Sequence, residues 1–148
     1  MTDYTWNFLE DAVLAALKAQ LGSRVKTLTT YQGDYLADLK RQAWRLPAVL
    51  VLLRQSRADQ VTTRSYEVQL DFTVVVAARK LRSEAAGRRG EGGVYEILEG
   101  VRQALWHQDL GLAILPFSPV KEEPWLNTRE FMVYAAHYRT GAVRDFGG

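Results

Sequence analysis

Chemistry in this chain is first to be sought between residues 79 and 93, where arginine and glycine concentrate. The order Gly87-x-x-Gly90-x-Gly92-Gly93 follows a strand-like segment and precedes a helix-like one, the setting in which backbone N–H groups cradle phosphate. It matches neither the dinucleotide fingerprint nor the P-loop, and no Lys-Ser or Lys-Thr follows it. Fifteen residues separate Ala78 from Val94, too many for a tight phosphate-binding turn. Nucleotide binding is therefore not expected, and composition favours a solvated loop.

The arginines of this stretch remain candidates for contact. Arg79, Arg82, Arg88 and Arg89 can grip phosphates or carboxylates bidentately. Aromatic side chains, which single-stranded nucleic acid would stack on, are missing from the loop. A solvated face, an acidic protein surface and DNA all stay open as its surroundings.

Elsewhere the reactive residue types are sparse. His107 and His137 are the only histidines, and neither has a nucleophile motif or metal-type spacing beside it. His107 ends a predicted helix, where a cation suits the dipole; His137 lies in a predicted strand, facing away from Met132, Tyr134 and Ala136. Glu122 and Glu123 read as a surface run, and Glu96 and Glu99 as a solvated helix flank. Absence of cysteine removes disulfides, thiolate metal sites and thiol catalysis together. No enzyme, cofactor or metal is expected. Phe117, Trp125 and Phe131 gather around a proline-interrupted segment. They either cover the core or form a subunit contact, and Phe117 and Trp125 join the four arginines as candidate partner-contact residues.

The elements that must hold these residues follow from periodicity. Leu9, Val13, Ala16, Leu17 and Leu21 keep helical spacing over 5–21, with Asp3 or Thr5 as cap and Gly22 as stop. Val25–Tyr31 reads as a short strand, and Asp34 can cap a second, shorter helix to about Trp44. Ala48–Arg54 is a continuous apolar run, typical of a strand buried on both faces. Ser56–Thr62 is polar and predicts a hairpin connection. In the next strand Tyr66, Val68, Leu70, Phe72, Val74 and Val76 share one face. Val94, Ile97, Leu98, Val101 and Leu105 predict a third helix. Gly111–Pro116 and Val120–Leu126 predict a broken edge strand, because Pro116, Pro119 and Pro124 interrupt it. Arg129–Thr140 alternates again and is expected to close the sheet.

This order predicts an α+β fold: a two-layer sandwich, mostly antiparallel sheet, with two main helices on one face. One domain over 1–148 is expected, with a flexible basic loop at 79–93 and a loose tail at 141–148. A chain of 148 residues buries roughly 70% of its unfolded surface, so it needs no staple. Net charge of +2 is too small to argue for nucleic acid by itself, although five basic residues fall between Arg79 and Arg89. No segment approaches the roughly 20 apolar residues of a membrane span, and the opening residues resemble no export signal.

Leu9-Glu10-Asp11-Ala12-Val13-Leu14-Ala15-Ala16-Leu17-Lys18 resembles the N-terminal helix of small Mu-like phage proteins encoded in the tail-morphogenesis cluster. Leu46-Pro47-Ala48-Val49-Leu50-Val51, Val74-Val75-Val76-Ala77-Ala78-Arg79, the stretch Arg88 to Glu99 and Leu110-Gly111-Leu112 continue the likeness in order. The resemblance implies a structural protein similar in fold to the lambda-type tail terminator. Such proteins form a ring, commonly hexameric, that caps the tail tube and provides the surface for joining the head. The partners it implies are further copies of this chain, the tail tube protein and the head–tail connector proteins, with DNA passing through the lumen. It implies assembly in the bacterial host cytoplasm and a place in the virion tail. The family has no catalytic residues to carry over.

Overall fold

The computed structural model describes residues 4–31, 34, 37, 38, 41, 44–79 and 93–145. Helix α1 runs Trp6–Leu21. The Thr5 hydroxyl accepts from the Phe8 N–H at 3.1 Å, satisfying one of the helix's unpaired donors, and Gly22 ends it at φ 59°. Helix α2, Val94–Leu105, buries Val94, Ile97, Leu98, Val101 and Leu105, the five positions that periodicity selects. The strands are β1 Thr27–Thr30, β2 Ala48–Gln60, β3 Ser65–Arg79, β4 Ser118–Asn127 and β5 Phe131–Asp145.

They form one sheet in the order β1-β2-β3-β5-β4, parallel only between β1 and β2. Both main helices lie on one face, over a core that includes Val68, Leu70, Phe72, Val74 and Val76 from β3. The fold is the expected two-layer α+β sandwich. Alternation explains the burial: a strand sends successive side chains to opposite faces. The opposite face is not simply exposed. Leu50, Val75, Ala77, Phe131 and Val133 form a second buried cluster there, flanked by Tyr31, Trp44, Leu46 and Trp125.

Four boundaries differ from expectation. Ser56–Thr62 is not the connection: β2 continues to Gln60 and the turn is 61–64. Thr62 shapes it, its hydroxyl accepting from the Arg64 and Ser65 N–H groups at 3.2 and 3.0 Å. Gly111–Pro116 is not strand; only Ser118–Asn127 pairs, with register shifts at Pro119/Lys121 and Pro124/Leu126 where proline cannot donate. Strand β5 does not close the sheet but lies inside it, between β3 and β4. The expected loose tail is also corrected, since β5 carries on to Asp145 opposite Ser65. Gly141 lies within that strand, where a Cβ would sit 3.2 Å from the Val68 carbonyl oxygen and 3.3 Å from Leu115.

Of the predicted second helix, residues 34, 37, 38, 41 and 44 are described. Asp34 Oδ1 accepts from the Ala37 N–H at 3.2 Å, as a cap would; the rest of that helix lies outside the described residues.

Strand β1 pairs only with Ala48–Val51, and beyond Val51 the outer margin of β2 has no strand beside it among the described residues. Glu10 of α1 covers the first step: its buried carboxylate accepts the Leu53 N–H at 3.1 Å. Glu10→Ala strands that donor and is expected to cost about 1–3 kcal/mol. Glu10→Gln keeps an acceptor and should cost clearly less. Urea unfolding of both variants checks this, and equal midpoints would show that the carboxylate is not holding the strand.

Candidate assembly surfaces

Among the candidate contact residues, Arg79 closes β3 and is exposed, its guanidinium 5.3 Å from the centre of the Phe131 ring. Arg79 and Phe131 face each other across the β3–β5 ladder, so register creates this cation–π contact. Arg82, Arg88 and Arg89 lie outside the described residues, as does the expected flexible loop apart from Arg79 and Gly93.

Phe117 is 1% exposed and meets Phe72 edge to face at 5.7 Å. It belongs to the helix-side core and has no surface for a partner. Trp125 is half-buried on the other face, its ring 5.9 Å from His137, within the cluster that holds Phe131. The three aromatics are thus split between two layers rather than gathered at one edge.

The register also builds two polar rows on the helix-free face that sequence reading missed. In one, Asp71 is 3% exposed; its carboxylate accepts from Arg139 Nε at 2.9 Å and Gln55 Nε2 at 2.7 Å, with Arg54 at 3.9 Å. Burial pushes the Asp71 carboxyl up. Hydrogen bonds from Arg139 and Gln55, with both arginine charges, outweigh it and hold the group below its ordinary range.

In the other row Thr73, His137 and Glu123 line up across β3, β5 and β4. His137 Nε2 is 2.7 Å from Glu123 Oε2, and Nδ1 is 2.9 Å from the Thr73 hydroxyl. A carboxylate only accepts, so Nε2 donates to Glu123, while Nδ1 shares a hydrogen bond with the Thr73 hydroxyl. That bond, with Lys121 nearby, holds Glu123 below the usual carboxylate range despite partial burial. Hydroxyl, imidazole and carboxylate in a line evoke a nucleophile relay. Thr73 is 0% exposed, however, and no substrate can reach it. The row ties three strands together.

Glu122 and Glu123 are not a surface run, because adjacent strand residues face opposite ways. Glu122 faces the helices and takes a bidentate pair from Arg102 at 2.6 and 2.9 Å. Glu99 joins the same guanidinium at 2.7 Å, and Glu96 lies 3.8 Å from Arg24. His107 is exposed just past α2 at φ 56°, its N–H donating to the Phe117 carbonyl at 2.9 Å. Among the described residues no cluster of histidine and carboxylate groups could hold a metal.

Exposure is concentrated at the far end of the β2–β3 hairpin. Every residue from Arg54 to Arg64 is exposed, seven of them within a strand. Beside it runs a groove of about 490 Å³, lined on the helix side by Trp6, Ala58, Tyr66, Val68 and Arg144. At this end β2 lies against β3 and β3 against β5, so the exposed strand is the outer one of three.

A family model described as Bacteriophage Mu, Gp37 matches residues 7–141. The chain belongs to that family. No curated protein matches the chain. A Gp37-family subunit is a phage protein of structural kind, which fits polar rows that stitch strands instead of opening onto a cleft. No described helix of this Gp37-family chain is long and apolar enough to cross a membrane.

Proposed function

We propose that this Gp37-family protein is a tail terminator. Copies close into a ring, hexameric like the lambda-type proteins it resembles, which caps the tail tube, stops its polymerisation and presents the surface for head joining. The observation that carries this reading is the family match from residue 7 to residue 141, nearly the whole chain. Two further features support it. The outer half of β2 has no strand beyond it among the described residues, an open margin that a neighbouring subunit can meet. The buried Asp71, Thr73 and His137 spend their side-chain hydrogen bonds on holding strands together. Tube and connector proteins are the proposed partners, contacted through Arg79, Arg82, Arg88, Arg89 and Trp125, with DNA passing the lumen.

The test adds purified protein to polymerising tube protein and measures tube length by negative-stain microscopy. Shortened tubes ending in a ring are expected. Unchanged tube lengths, together with capture by connector protein, would replace the terminator role by a neck or connector-completion role.

A further inference from the structure

We propose that two free subunits pair through the outer margin of β2, strand to strand and antiparallel about Ala58. The two sheet edges differ in how open they are. Strand β4 carries Pro119 and Pro124 and two register shifts, devices that block strand addition. The outer margin of β2 from Arg54 to Gln60 has no proline, no shift beyond Gln55 and no described strand beside it.

The charges on this segment identify the occupant. Asp59 stands directly opposite Glu67 in the β2–β3 ladder, two acids side by side on the helix-free face. Like charges so placed repel, and no cation lies within ion-pair distance of either among the described residues. Arg57, two residues earlier on the same face, likewise has no acidic partner there. A second copy resolves both. In an antiparallel ladder centred on Ala58, Arg57 of each copy falls opposite Asp59 of the other, beside Glu67. Ser56 then meets Gln60, and Ala58 meets its own counterpart next to the groove. Centring on Arg57 would instead set arginine against arginine, so charge selects the register as well as the partner.

Such a pair is two-fold and closes on itself, whereas a ring grows by head-to-tail contacts. The inference therefore does not rest on the terminator reading, and each can fail alone. A contact this small is weak, formed at high subunit concentration and released when other contacts compete.

The chain has no cysteine, so one substitution reports the centre of the ladder. Under mild oxidation Ala58→Cys is expected to give a disulfide-linked dimer far faster than Thr63→Cys in the turn. Sedimentation over a concentration series tests the charges. Arg57→Glu or Asp59→Arg alone should weaken dimerisation about tenfold, since each sets two like-charge pairs across the ladder. The double variant Arg57→Glu/Asp59→Arg should restore it. Equal cross-linking at residues 58 and 63, or a double variant no better than the singles, would overturn the proposal. Neither result bears on the capping of tubes.

Discussion

Asp71→Ala is expected to lower the unfolding free energy by about 3 kcal/mol, among the largest effects of any polar substitution in this protein. The carboxylate is buried at the centre of the sheet, where it joins β3 to Gln55 of β2 and Arg139 of β5. Removing it deletes two hydrogen bonds and leaves Arg139 and Arg54 facing each other without a counter-charge. Both guanidiniums are about half exposed, with side chains 46% and 47% accessible, so water recovers part of the loss. The pH dependence gives a second readout. The Asp71 carboxyl lies below its ordinary value in the folded protein, so its contribution is complete above the unfolded pKa near 4. It is lost as pH falls through the folded value. Wild type and Asp71→Asn should therefore differ most at neutral pH and converge in acid. A gap that stays constant between pH 7 and pH 3 in urea titrations would show that the charge contributes nothing.

Phe72→Ala, one residue further along the same strand, is expected to cost about 4 kcal/mol through an entirely different term. Its ring is 1% exposed, faces the helices and packs against Phe117. Truncation removes the apolar contact and leaves a cavity that α1 and α2 cannot collapse into without losing their own packing. In a domain of this size the melting temperature should fall by about 10 °C. Phe72→Leu, which refills most of the volume, should recover more than half of that. Calorimetry that finds the alanine and leucine variants equally stable would mean the layer repacks freely. No acid dependence beyond that of wild type is expected for either variant, which separates this core effect from the one at Asp71.

These neighbouring residues show where sequence reading succeeds and where it stops. That Phe72 points inward was legible from Tyr66, Val68, Leu70, Val74 and Val76 at alternate positions, because face is a local property of a strand. Asp71 gave no comparable signal. Its partners are 16 and 68 residues away, and only the ladder brings them within hydrogen-bond reach. The row of Thr73, His137 and Glu123 was hidden for the same reason. One local hint existed, a second face of β3 that stays polar through Glu67, Gln69, Asp71 and Thr73 before turning apolar at Val75.

Helix α1, helix α2, the alternation of β3 and the family likeness came from the order of residues alone, since helical and strand periods and cap preferences act over a few positions. The tertiary structure decided what depends on pairing. Ser56–Thr62 is polar enough to read as a loop, yet β3 holds its first part extended to Gln60. Gly141 reads as the start of a tail, yet it lies within β5, where a Cβ would press on the Val68 carbonyl. Phe117, set among prolines, was open to core or contact until packing against Phe72 of β3 placed it in the core. Register joins residues distant along the chain, and no local propensity specifies it.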